Sequence, residues 1–313
     1  MRVATVQKSV LMRIGTRGSP LALAQTHECA RKIAAAHGWP VEAINICIIK
    51  TSGDMIADRA LSEAGGKGLF TKELDEAMLR GEIDIAVHSA KDLPTILPGG
   101  LNVGGYLERE DPRDAFLSSR AKTLQTLPQG AVLGTASLRR SALALRIRPD
   151  LKIVLLRGNV ETRLRKVESG EIDATLLALA GLKRLGLAGH ATSILETDAF
   201  LPAVGQGAVA ITLRGDDAAT RAALAPVLHK ATHEAVSAER AFLRVLDGSC
   251  RTPIAGLALV AAGHVRFRGL VLSVDGAQVF STACNGHSAA GEALGMAAGQ
   301  DILARMPRDF LKH

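Results

Sequence analysis

GEIDIAVHSAKDLPT, residues 81–95, decides how the chain is read. Its apolar run, Ile83, Ile85, Ala86 and Val87, stops abruptly at His88, Ser89, Lys91 and Asp92. An apolar run closed by turn residues reads as a buried strand. Ionisable groups just past a strand's C-terminal end lie where open α/β sheets bind ligands. Asp92 is therefore the candidate centre of a site, although the same residues also suit a capped turn with a solvated lysine.

Outward from this strand, similar units recur. RIGTRGSPLALAQ (13–25) reads as a strand end, a turn and a helix carrying Leu21, Leu23, Ala24 and later Ile33. Arg17 and Ser19 fall at that helix N-terminus, where free N–H groups and the dipole favour an anion and where Ser19 also suits a simple cap. VEAINICIIKTSGD (41–54) is a second strand ending in polar residues, and ALSEAGGKGLF (60–70) is a glycine-rich loop holding Lys67. The following helix, FTKELDEAMLRGE, places Phe70, Leu74, Ala77 and Met78 on one face. Gly68 after Lys67 excludes a Walker loop, and no G-x-G-x-x-G follows a strand.

An internal repeat organises the rest. Gly15-Thr16 recurs as Gly134-Thr135, and Gly81-Glu82-Ile83-Asp84 recurs as Gly170-Glu171-Ile172-Asp173, with a strand ending in polar loop residues between each pair. Two like α/β lobes follow, facing each other across a ligand cleft. The expected crossings are LEREDPRDAF (107–116) and LPAVGQGAVAI (201–211), the second returning the chain to lobe one. The boundaries read as 1–107 with 205–228 for lobe one, 108–204 for an arginine-rich lobe two, and 229–313 for a C-terminal α+β domain. That third domain shows the helix THEAVSAERAFLRVL, short alternating strands with a turn at Gly263 and a hairpin at Asp275-Gly276, and a last helix over 288–305. The fold class is thus two similar doubly wound lobes with a hinge, as in periplasmic binding proteins, plus a small antiparallel sheet.

Composition narrows the function. The chain has 313 residues, 47% hydrophobic, and a net charge of +7, which favours anionic partners. Only 3% of residues are aromatic, too few for a stacking platform on nucleic acid. The first residues lack a signal-peptide pattern and no run reaches a membrane span, so a cytoplasmic protein is expected. Cys29, Cys47, Cys250 and Cys284 show neither disulfide nor zinc spacing; three read as buried small hydrophobes. Cys250 differs, in a small-residue loop beside Arg251, and suits a nucleophile, an attachment point or an ordinary loop cysteine. The densest basic cluster runs from Arg139 to Lys166. Arg17, Arg139, Arg140, Arg157 and Arg163 within and beside it lie near strand ends or helix starts, where guanidinium groups can clamp carboxylate or phosphate.

The motifs RIGTRGSPLALAQ, GGKGLFTKEL, DIAVHSAKDLP, EREDPRDAF, GTASLRR, LRGNVETRL, LALAGLKRLGL, LPAVGQGA and DGSCRTPIA resemble those of the hydroxymethylbilane synthase (porphobilinogen deaminase) family, from about Arg13 to the end. The resemblance implies a transferase that condenses four porphobilinogen molecules onto a covalent dipyrromethane cofactor and releases a linear tetrapyrrole. It implies thioether attachment of that cofactor at Cys250 and a catalytic carboxylate at Asp92. It further implies cofactor or substrate contacts from Arg17, Ser19, Lys67, Ser89, Lys91, Thr135, Ser137, Arg139, Arg140, Arg157, Arg163 and Arg184, with no metal. A monomer acting on a small molecule, without nucleic acid or membrane, is implied too. Ala136 and Ser249 depart from the family's usual residues, a serine and a glycine. The segment from Ser52 to Gly68 is a candidate lid over a site that must admit a lengthening product. The competing readings are a two-lobed anion receptor, which has no use for a cofactor-bearing cysteine, and a nucleic-acid module, which would show steep salt dependence.

Overall fold

The computed structural model describes residues 10–55, 68–247, 252–307 and 309–310. The chain enters β1 (Met12–Thr16), α1 (Pro20–His37) and β2 (Ile44–Ile48), makes the single turn α2 (Ser52–Met55), then forms α3 (Lys72–Leu79), β3 (Ile85–Ser89) and β4 (Leu101–Tyr106). It crosses over and lays down β5 (Asp114–Ser118), β6 (Val132–Gly134), α4 (Leu138–Ile147), β7 (Lys152–Val154), α5 (Val160–Glu168), β8 (Ala174–Ala178), α6 (Leu179–Arg184) and β9 (Ser193–Leu195). It then returns as β10 (Val209–Arg214) and α7 (Ala218–Leu224) before a last unit of α8 (Lys230–Val245), β11 (Ile254–Ala261), β12 (His264–Leu272), β13 (Val279–His287) and α9 (Gly291–Arg305).

The first two sheets have matching orders, β2-β1-β3-β10-β4 and β7-β6-β8-β5-β9. In each, three strands run parallel and the fourth runs antiparallel to the third. That fourth strand, β10 or β5, is the one the chain reaches by crossing from the other lobe, so it enters from the opposite end. The sheets are therefore mixed. The third sheet, β11-β12-β13, is antiparallel, with α8 and α9 packed together beside it. A Cβ at Gly295 of α9 would lie 2.0 Å from the Ala238 carbonyl oxygen of α8, so the two helices meet at backbone distance.

The sequence repeat has a physical cause. A Cβ on Gly15 would lie 2.3 Å from Ile83 Cδ1, and one on Gly134 would lie 2.7 Å from Ile172 Cδ1. Each GEID isoleucine thus fills the space left by the glycine of its own lobe. The aspartates repeat as well: Asp84 accepts from the Arg13 backbone N–H at 2.7 Å and Asp173 from that of Val132 at 2.7 Å. The glycines that open the two motifs, Gly81 and Gly170, adopt φ of 72° and 75°, which side chains avoid.

Some expectations need correction. In α1 the buried face is Gln25, Thr26, Cys29, Ala30, Ile33 and Ala34, while Leu21, Leu23 and Ala24 are only half-buried, because the first turn of the helix borders the cleft. Phe70 precedes α3 instead of joining its buried stripe of Leu74, Ala77 and Met78. β2 is an edge strand, which leaves Ile48 59% exposed and Cys47 half-buried. Cys284 is likewise half-buried, so of these three cysteines only Cys29 is fully enclosed, and burial pushes its thiol up to about 12. No helix among the described residues is long and apolar enough to cross a membrane.

The Gly15–Ile83 contact can be tested by overpacking. Gly15→Ala should destabilise the protein by about 1–3 kcal/mol in urea unfolding. Adding Ile83→Val should recover part of that loss, so that the double variant is more stable than the sum of the singles; strict additivity would contradict the contact.

Candidate functional site

β3 lies at the centre of its sheet, paired with β1 and β10, so Ile85, Ala86 and Val87 are buried. A 3-10 turn, Ala90–Asp92, then swings the chain out of the sheet. Its two ionisable residues serve adjoining hollows. Asp92 lines one with Arg17, Ser19, Gln25, Phe70, His88 and Ser89. Lys91 lines the next with Ser89, Gln25, Arg184, Gly205 and Gly207, between residues of both lobes.

Around Asp92 the walls are set by local bonds. Ser19 caps α1 by accepting from the Ala22 N–H at 3.3 Å. Arg17 stacks its guanidinium over the Phe70 ring, 4.2 Å from the centroid. Gln25 donates to Ser89 Oγ at 3.0 Å, tying α1 to the end of β3. His88 is buried with Nε2 3.1 Å from Thr212 Oγ1; burial, and then the nearby Arg17 charge, push its ring down to about 4. It is therefore neutral near pH 7. Gln25 stood inside a quoted motif without a role, Phe70 was read as part of a helix face and His88 only as one of the ionisable groups at the strand end; their placement at this hollow singles them out.

The lobe-two arginines divide into two sets. Arg139 and Arg140 are buried on α4 and grip Asp114 at the start of β5, with Arg139 Nη2 at 2.8 Å from Oδ2 and Arg140 Nη2 at 2.7 Å from Oδ1. Arg139 Nη1 also donates to the Leu201 carbonyl at 2.8 Å. Burial alone would raise the Asp114 carboxyl, but the charges and hydrogen bonds of both arginines outweigh it and lower it. Here the protein supplies its own carboxylate to two arginines that the sequence reading assigned to ligand.

The second set is less compensated. Arg163 donates Nε to the Gly158 carbonyl at 2.8 Å; burial, and then the charges of Arg140 and Arg157, push it down to about 10. Burial and then Arg140 likewise push Lys91 down to about 8, against the opposing pull of Asp92 and Asp114. Like charges crowded at a half-buried wall are relieved by a bound anion. Arg184 sits at the interlobe hollow, donating Nε to Glu28 of α1 at 3.0 Å and Nη1 to the Gly207 carbonyl at 3.1 Å, and the adjacent Lys183 pairs with Glu110 at 2.8 Å. Thr135 and Ser137 make local bonds: the Ser137 N–H donates to Thr135 Oγ1 at 3.1 Å, and Ser137 caps α4.

The structure thus brings Arg17, Ser19, Ser89, Lys91, Asp92 and Arg184 to two adjoining hollows, with Arg140 close enough to act on Lys91. Lys67, Cys250 and most of the candidate lid lie outside the described residues.

Fold and site together define a two-lobed α/β protein with an acidic residue on one wall of a basic cleft. Residues 12–222 match the family model described as porphobilinogen deaminase, dipyromethane cofactor binding domain, and residues 233–304 match the porphobilinogen deaminase C-terminal domain. Porphobilinogen deaminases of Nitrobacter hamburgensis and Nitrobacter winogradskyi are each 55% identical over 304 residues, covering 97% of this chain and 96% of theirs. The chain belongs to the porphobilinogen deaminase family. Among solved structures, a periplasmic substrate-binding protein of an ABC transporter from Coxiella burnetii aligns with a TM-score of 0.45 and 17% identity, over 74% of this chain and 97% of that one.

Asp114 carries a prediction about stability. Asp114→Asn leaves two buried guanidiniums without their anion and should cost roughly 3–5 kcal/mol in urea unfolding at pH 7. Because the folded carboxyl lies below its unfolded value, its contribution is present above about pH 4 and fades as pH falls through the lower folded value. The variant should lose that acid dependence along with the stability; an unchanged acid limb would show that the pair contributes nothing.

Proposed function

We propose that the chain acts as a hydroxymethylbilane synthase in which Asp92 is the catalytic carboxylate and the basic wall holds the acidic side chains of substrate and growing product. One observation carries this reading: Asp92 ends the turn that follows the buried central strand, lines a hollow with Arg17, and lies beside Lys91, which itself feels the charge of Arg140. Porphobilinogen bears an acetate and a propionate, so four condensations build a strongly anionic oligomer. Arg17, Arg157, Arg163 and Arg184 suit those carboxylates. Arg139 and Arg140, already bound to Asp114, stiffen the wall and contribute field more than open donor edges.

Dipyrromethane, attached at Cys250, supplies the pyrrole α-carbon on which the chain grows. Asp92 Oδ atoms accept hydrogen bonds from pyrrole N–H groups and stabilise positive charge as ammonia leaves. In its acid form the same group gives a proton to the amine, which departs as ammonia, and the carboxylate so formed takes a proton back from the carbon that forms the new bond. Lys91, in the adjoining hollow, places a positive charge beside Asp92. Ser89, held by Gln25, and Ser19, at the helix cap, edge the site with hydroxyl groups. Thr135 and Ser137 bring two more to the N-terminus of α4, and Lys67, which lies outside the described residues, is a further candidate contact.

Under this reading the units are 1–107 with 205–228, 108–204 and 229–313, and the two crossings act as the hinge. The protein works as a cytoplasmic monomer on a small molecule, without nucleic acid. Native mass spectrometry should find one chain with an excess equal to two linked pyrroles, absent from Cys250→Ser; an unmodified wild-type chain would contradict the attachment. Asp92→Asn keeps size but removes charge and basicity. Its turnover of porphobilinogen should fall by about a hundredfold or more, and near wild-type turnover would remove Asp92 from the chemistry.

A further inference from the structure

Two histidines face each other at one end of the C-terminal sheet, outside the cleft. β11 and β12 are joined by a turn at Ala262 and Gly263, with φ of 49° and 75°. His264 opens β12, His287 closes β13, and the two are direct partners in the antiparallel register. The Ser288 N–H donates to the Gly263 carbonyl at 2.8 Å. That bond makes the 264/287 step the open, non-hydrogen-bonded pair, in which facing side chains approach most closely.

The ring geometry suits shared coordination. The centroids are 5.7 Å apart and the planes are tilted by 49°. Two imidazoles bound to one zinc at about 2.0–2.1 Å place their centroids about 5–6 Å apart at near-tetrahedral angles. His264 Nδ1 lies 3.1 Å from the Ala262 carbonyl oxygen. A carbonyl can only accept, so Nδ1 carries the hydrogen and Nε2 presents its lone pair. A backbone carbonyl behind the ring is how metal-binding histidines are commonly oriented. Both side chains are exposed, so a cation reaches them without any opening of the fold.

We propose that His264 and His287 form a surface site for one divalent transition-metal cation of the zinc or nickel class, with water in the remaining positions. No group of three or more His, Cys, Asp or Glu that could hold a metal occurs among the described residues, so this is a two-ligand site. Arg266, exposed on the same face beside Asn285, opposes a cation. With half the ligands of a closed zinc site, the dissociation constant should be on the order of 1–100 micromolar.

The test is calorimetric titration of the full-length, untagged holoenzyme with zinc chloride at pH 7.5. One cation should bind per chain, and His264→Asn or His287→Asn should each weaken binding at least about tenfold. Thermal melts without metal should match wild type, since both residues are exposed. His190→Asn, which removes an exposed histidine beside Glu168 on lobe two, should leave the titration unchanged. The site is overturned if neither sheet variant alters binding, if His190→Asn abolishes it, if one metal binds per two chains, or if no zinc binds at 100-fold excess.

Discussion

The arrangement of the whole molecule depends on one buried carboxylate, Glu239 of α8. It is fully enclosed and receives Arg109 Nη1 at 2.6 Å, the Gly205 N–H at 2.7 Å and the Ala258 N–H at 2.8 Å. Arg109 belongs to the first crossing, Gly205 to the second and Ala258 to β11, so a single side chain joins both crossings to the C-terminal sheet. Such a charge is tolerable in the interior because its lone pairs are met by hydrogen-bond donors with a guanidinium among them. Losing Arg109 would leave a buried uncompensated charge, and losing either backbone N–H would leave a buried acceptor short of a donor, so the segments are held as a set.

The network continues from there into the cleft wall. Arg109 Nε donates to the Gln206 carbonyl at 2.9 Å, and the Gln206 side chain donates to Asp114 at 3.2 Å, the anion that holds Arg139 and Arg140. Movement of the crossings is thereby coupled through polar contacts to the arginines of lobe two. The glycines of the second crossing fit this tightness. A Cβ on Gly207 would lie 2.3 Å from the Glu110 carbonyl oxygen, so glycine there permits the two crossings to touch, where composition alone suggested flexibility.

Charge is distributed by the same economy. The deepest arginines share Asp114 inside the protein, while Arg163 is lowered by burial and other cations, and Lys91 by burial and Arg140 against the pull of Asp92 and Asp114. A wall built this way carries an internal counter-ion for its deepest pair of cations. Sequence pattern pointed to the arginines as a group. It could not single out the two that Asp114 holds, because Asp114 lies 25 residues from Arg139 and meets it only when β5 joins the second sheet.

Local pattern was sufficient wherever the cause is local. The apolar run before Asp92, the helix starts at Ser19 and Ser137, the paired Gly-Thr and GEID motifs and the hairpin at Asp275-Gly276 are written in neighbouring residues, so the two α/β sheets, their likeness and the buried strand that leads to Asp92 were legible. The antiparallel fourth strands, the edge position of β2, the Glu239 junction and the sharing of Asp114 by two arginines were not. Each depends on segments that come together only after the chain has crossed between lobes twice, and a pairing set by that topology leaves no periodic trace in either partner's sequence.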